Sequence, residues 1–156
     1  MMNAAFVGLK KSYNAALSGT TGQLSLEYRN TMKLHTTPTQ QYQTITGYET
    51  DSVEINAIVY QHSLIVLPEI KPVSWPVNRF AELTEASFEQ VLAHQPDVVI
   101  LGTGAKQQFV HPRLIQALTA KRIGVESMDS QAACRTYNIL MAEGRKVALA
   151  LIMEQA

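Results

Sequence analysis

Four consecutive apolar residues, Val98-Val99-Ile100-Leu101, closed by Gly102, constrain this chain more than any other stretch of it. A strand with one face in water alternates apolar and polar side chains. A strand with no polar position needs cover on both faces, the condition of a parallel sheet with helices on either side. The residues that follow agree with this. Pro112 suits the first turn of a helix that turns Leu114, Ile115 and Leu118 inward. Ile123–Glu126 reads as the next strand. Ser130 is placed to cap a helix that ends at Gly144, a residue suited to the left-handed position after a helix. Val147–Ile152 is the last strand. Strand–helix–strand–helix–strand with short connections predicts crossovers and a largely parallel sheet.

The preceding residues read differently. Val53 and Ile55 face Ile58 and Tyr60 across Asn56-Ala57, which predicts an antiparallel hairpin, although alanine is a poorer turn residue than glycine. Ser63–Leu67 is a third strand, stopped by Pro68, and a loop with Pro72, Trp75 and Pro76 follows. Thr84 is a plausible cap, with Glu85 in the first turn, for a helix that runs to about His94 and turns Phe88, Val91 and Leu92 inward. The fold class predicted is α/β. It has three layers, a β layer plus an α/β unit, with a central mixed, mostly parallel sheet flanked by helices and an antiparallel hairpin region on its N-terminal side.

Residues 1–31 stand apart. They are rich in Ser, Thr, Asn, Gly and Ala, show no sustained periodicity, and read as a poorly ordered extension ahead of a single domain over 32–156. They do not make a secretory signal, because Lys10 and Lys11 follow the short apolar stretch and do not precede it. The absence of acids before Glu27 leaves a mitochondrial transit segment open, against a preferred reading as an upstream extension before Met32 of a cytoplasmic, bacterial protein. The longest apolar run is the seven residues Val147–Met153, short of the roughly 18 a membrane-spanning helix needs.

Charge excludes one class of function. Basic and acidic residues are equal at 13 each, so nothing general draws the chain to nucleic acid. The balance is local: residues 47–99 carry 8 acidic and 2 basic groups, a net of −6, and residues 100–156 carry 4 and 7, a net of +3. One cysteine allows no internal disulfide and no cysteine-based zinc site. Cys134, among alanines in mid-helix, reads as a small core residue.

The candidate chemistry is sparse. Gly102-Thr103-Gly104 after a buried strand brings a nucleotide loop to mind, but Gln107 stands where the dinucleotide fingerprint needs a third glycine. A tight structural turn at Gly102 and Gly104 is the plainer reading. His35, His62, His94 and His111 share no spacing that pairs ligands on a helix face, no serine lies in a Gly-x-Ser-x-Gly elbow, and no cofactor is implied. One constellation remains. Gln131, Arg135 and Asn138 fall on one helix stripe, opposite an apolar stripe of Ala133, Tyr137, Leu140 and Met141. Met128 and Asp129 lie just past one strand end and Thr103 past another, the edge where open α/β sheets bind ligands. Thr103, Met128, Asp129, Gln131, Arg135 and Asn138 are therefore the candidate binding residues. A protein partner is the first expectation and a small anion held by Arg135 the second, with Asp129 as an internal partner for that arginine.

The segments Val98–Gly104, Val125–Asp129, Ala133–Asn138 and Glu143–Arg145 together resemble the Mth-domain family, over about Met32 to the C-terminus. The resemblance implies the three-layer fold just described and no established enzymatic activity for the family as a whole. It also implies a role like that of the family's best-understood eukaryotic member, the third assembly factor of mitochondrial respiratory complex I, which binds partner proteins. Ala57 departs from the glycine expected in the family's hairpin turn. The rival class is an enzyme or small-ligand binder working through Gly102–Gly104 and Asp129–Asn138.

Overall fold

Both residues of the Asn56-Ala57 turn have positive φ, 48° and 66°, the requirement of the turn that matches the twist of a two-residue hairpin. The structure is a computed structural model and describes residues 41–154. The extension expected over 1–31 and the domain start at 32 lie outside the described residues. The hairpin joins β2 (Val53–Ile55) to β3 (Ile58–Tyr60), and a further strand, β1 (Ile45–Tyr48), pairs antiparallel with β2 on its other side. Asn56 suits the turn for a second reason. Its Oδ1 accepts from Thr44 N at 3.2 Å and its Nδ2 donates to the Tyr42 carbonyl at 3.1 Å, which ties the turn to the strand before it.

Ala57 has no such compensation for its left-handed backbone. Ala57→Gly is expected to stabilise the fold by about 0.5–1 kcal/mol, relief of strain outweighing the extra freedom of the unfolded chain. Urea denaturation monitored by circular dichroism, with the slope unchanged, checks this.

The central sheet has five strands in the order β5 (Val73–Ser74), β4 (Leu64–Val66), β8 (Val147–Leu151), β6 (Val98–Gly102), β7 (Gly124–Met128). Strands β8, β6 and β7 run parallel, and β4 is antiparallel to both β8 and β5. The sheet is mixed, with its parallel part where the apolar run predicted it. Side chains alternate across it. Val98, Ile100, Leu149 and Leu151 enter one core; Val99, Leu101, Ala148 and Ala150 enter the other. The first core is closed by α3 (Ser130–Ala142), through Ala133, Cys134, Tyr137 and Met141, and by Ile45, Val53 and Ile55 of the three-stranded sheet. The second is closed by short helical pieces. Glu85–Phe88 is a 3-10 turn that runs into α1 (Glu89–Ala93), and Pro112–Ile115 is a 3-10 turn that runs into α2 (Gln116–Ala120). Phe88, Val91 and Leu118 are buried there, with Trp75 donating its indole N–H to the Ser87 carbonyl at 2.7 Å.

Four details differ from the sequence expectation. The strand expected over Ile123–Glu126 runs Gly124–Met128, so Met128 is its last residue, paired with Gly102, and does not lie past its end. Strands β1 and β5 were not anticipated. The two helices before α3 are single α turns extended by 3-10 turns. And α3 is capped by Asp129, whose Oδ1 accepts from Ala132 N at 2.8 Å. Ser130, expected as the cap, is the first helical residue and is fully buried. At the other end of α3, Gly144 takes φ 80°, and the Arg145 and Gly144 amides donate to the carbonyls of Leu140 and Met141. This is the Schellman closure that its glycine predicts.

Candidate functional site

The Gly102–Gly104 loop and the start of α3 meet at the C-terminal end of the parallel strands, as the sequence suggests. A Cβ on Gly102 would stand 2.6 Å from Leu151 Cδ1, 3.2 Å from Ala133 Cβ and 3.3 Å from Ser130 Oγ. The missing side chain is what lets α3 close on β6. Gly104 has φ 95°, a left-handed value.

The polar atoms of Thr103, Gly104 and Ser130 bond within the chain. Ser130 Oγ accepts from Gly104 N at 2.9 Å, and Ser130 N donates to the Gly104 carbonyl at 2.9 Å. Thr103, 1% exposed, sends its hydroxyl to the carbonyls of Lys106 and Met128, at 2.7 and 3.0 Å, and accepts from Gln108 N at 3.0 Å. Thr103 N donates to the Met128 carbonyl. A phosphate cradle at this strand end would draw on the backbone N–H groups nearest the sheet; those of Thr103 and Gly104, and that of Gln108 where the loop returns, are used within the chain. The loop is a clasp between strands and helix.

The helix stripe divides in two. Asn138 faces β1: Ile45 N donates to its Oδ1 at 3.0 Å and its Nδ2 donates to the Ile45 carbonyl at 2.8 Å. Tyr137 adds a bond from its hydroxyl to the Gln43 carbonyl at 2.9 Å. Asn138 therefore completes the outer edge of the three-stranded sheet with a side-chain amide. Gln131 and Arg135 are exposed, and Ile139, which follows Arg135 by one helical turn, is 58% exposed. Among the described residues the Arg135 guanidinium has no ion-pair partner. The expected pairing with Asp129 is not formed, because that carboxylate is turned to cap the helix. Met128 is half-buried against the first core.

Hollows open on the surface of the described residues, and two of them are the best formed. One, of about 400 Å³, lies among Leu67, Ile70, His94, Met141 and Arg145; the other, of about 130 Å³, lies beside Gly47, Glu49 and Glu54. Neither is lined by Thr103, Asp129, Arg135 or Asn138. Among the described residues, no group of three or more His, Cys, Asp or Glu is placed to hold a metal ion. Among the described residues no buried side-chain polar atom lacks a partner, and no helix of those residues is long and apolar enough to cross a membrane.

Cys134 is buried on the core side of α3. Burial pushes its thiol up from 9.0 to about 12, against a smaller downward pull from Arg135. Burial also raises the phenols of Tyr137 and Tyr48. The native thiol is expected to resist Ellman's reagent at pH 8 on the timescale of folding stability, with labelling at the rate of unfolding. Because the folded state favours the protonated forms of all three groups, their contribution is full below about pH 9 and is lost as pH rises through the folded values. Melting temperatures should fall from pH 8 to pH 11, and rapid labelling of native protein would contradict the burial argument.

The fold and the site together define a three-layer β plus α/β domain whose strand-end loop is bonded to the start of α3 and whose α3 carries an exposed row of Gln131, Arg135 and Ile139. The chain belongs to the family described as protein of unknown function (DUF498/DUF598), which matches residues 45–152. It is similar to NADH dehydrogenase [ubiquinone] 1 alpha subcomplex assembly factor 3 of Mus musculus, 38% identical over 90 residues that cover 56% of this chain and 48% of that one. The chain thus matches about half the length of that relative. Among solved structures, a protein from Bordetella parapertussis superimposes with a TM-score of 0.72 at 41% identity, over 75% of this chain and all of the other. A Bordetella pertussis protein described as a Mth938-like domain gives 0.67 at 37% identity, over 79% and 93%.

Proposed function

We propose that this chain is a non-catalytic, assembly-factor-like protein that holds partner proteins through the exposed side of α3. The observation that carries this reading is the division of polar groups at the strand ends. Thr103, Asp129, Ser130 and Asn138 are tied into the fold, while Gln131, Arg135 and Ile139 stand exposed in one row. An arginine without an internal partner beside an exposed aliphatic residue is a composition suited to the centre of a protein interface. The similarity to relatives named as assembly factors of the respiratory NADH dehydrogenase supports the class of partner, a subunit or companion factor of a larger complex. A cytoplasmic location goes with this reading. A mitochondrial one goes with it if residues 1–31 serve as a transit segment, and a reporter fused behind those residues distinguishes the two.

The test is affinity purification of the full chain from native lysate, beside the double variant Arg135→Ala with Ile139→Ala. Both residues are exposed, so the variant should melt within about 2 °C of the parent. It should retain partners at least about tenfold less well. A folded variant that keeps every partner removes this face from consideration.

A further inference from the structure

Strand edges invite pairing with another chain unless something blocks them, and this fold has four. Strand β5 is two residues long and lies between Pro72 and Pro76. Strand β7 has the carbonyl of Ser127 occupied by Gln107 Nε2 at 2.9 Å. Strand β1 is closed by the Asn138 amide. Strand β3, three residues long, has neither flanking prolines nor a side chain bonded along its edge among the described residues. It has no proline or lysine, it pairs with β2 only, and Ile58 and Val59 are each 58% exposed.

The register decides how this edge is presented. Ile55 and Ile58 flank a two-residue turn and so exchange backbone hydrogen bonds; the alternation leaves the N–H and C=O of Val59 directed away from β2. Val59 shares a cross-strand row with Glu54 and Gly47. Over that row, where Gly47 carries no side chain, lies the hollow of about 130 Å³ lined also by Glu49 and Ser52. Residues 45–60 contain Glu49, Asp51 and Glu54 and no lysine or arginine.

We infer that β3 is a docking edge for an extended, basic segment of a partner protein. The segment adds a fourth strand to the sheet through the backbone of Val59 and lays a lysine or arginine toward Glu49 and Glu54. Main-chain pairing supplies the attachment and the side-chain hollow the selection, the division of labour of strand addition. A second copy of this chain is the disfavoured occupant. Pairing β3 with β3 would bring two sets of the same three carboxylates onto one sheet, and like charges on facing strands repel. This edge is separate from the exposed side of α3, so the two proposals stand or fall independently.

The probe is a capped hexapeptide that alternates lysine and valine, titrated into the full-length protein and followed by amide NMR, beside the same peptide with glutamate for lysine. The lysine peptide is expected to shift the Ile58, Val59 and Tyr60 amides and to bind at least about tenfold more tightly than the glutamate peptide, with the difference shrinking in high salt. Val59→Lys, which adds charge at an exposed position, should weaken the lysine peptide by about tenfold while the remaining amide spectrum is kept. Should Val59→Lys disturb the fold, Glu49→Gln provides the same test from the charge side. Arg135→Ala should leave the titration unchanged. Equal binding of the two peptides, shifts confined to other surfaces, or no binding at millimolar peptide would overturn the proposal. So would concentration-dependent self-association in sedimentation that Val59→Lys abolishes, since that makes a second copy the occupant.

Discussion

Asn138→Leu is expected to destabilise the domain by about 2–4 kcal/mol, because it strips the Ile45 N–H and C=O of their partners at a half-buried position, and each unpaired backbone group there costs about 1–3 kcal/mol. For a domain of this size that lowers the melting temperature by about 8–15 °C. The loss should be local first. Ile45 belongs to the core that Val53, Ile55 and Tyr137 share, so amide exchange should accelerate along β1 and β2 before the central sheet opens. Asn138→Asp separates the two bonds. A carboxylate still accepts from Ile45 N but turns a second acceptor on the Ile45 carbonyl, whereas a protonated carboxyl donates to it. The folded pKa of the introduced acid is therefore raised above its unfolded value. Its stability is full below the unfolded value, near pH 4, and lost as pH rises through the folded one. A variant that is more stable at pH 4 than at pH 7, relative to the parent, confirms the double bond. One with leucine that melts within 2 °C of the parent refutes it.

What could be read from the residues alone follows what is local. Strands β6 and β8 are continuous apolar runs, and α3 carries a clear period, so each was legible to within a residue or two. The Asp129-Ser130 pair shows the limit, since both are good capping residues and the choice between them was made elsewhere. Ser130 is taken into the core by the Gly104 backbone, and Asp129 is left to cap. Strand β1 escaped notice because its ladder is irregular between Ile45 and Gly47 and its outer side is completed by a helix some ninety residues away. No local pattern encodes that. The same contact explains why the stripe of Gln131, Arg135 and Asn138 did not stay whole. A helical period says which side chains share a face. It does not say that a sheet covers half of the face, leaving Arg135 exposed and Asn138 engaged.

The Gly-Thr-Gly segment makes the complementary point, since its glycines read equally as a ligand loop and as a close approach of backbone. Geometry favours the second, and the consequence is measurable. Gly102→Ala is expected to cost about 2–3 kcal/mol, in the range of overpacking a filled core. The added methyl would meet Leu151 Cδ1 at 2.6 Å, with Ala133 Cβ and Ser130 Oγ behind it at 3.2 and 3.3 Å. Leu151 is fully buried, so its side chain must repack within the core, and Ala133 is fixed on α3, so the rest of the relief comes from the helix withdrawing from β6. That withdrawal would stretch the paired bonds between Gly104 and Ser130. Gly102→Val, with two further methyls in the same space, should leave little folded protein at 37 °C. A small residue on the facing side is the diagnostic partner: Leu151→Ala makes room but opens a cavity, so Gly102→Ala should cost markedly less in that background than alone. Additive losses would show that the methyl is resisted by something other than Leu151. A full-strength fold in Gly102→Ala alone would return the loop to the class of sites kept open for a ligand.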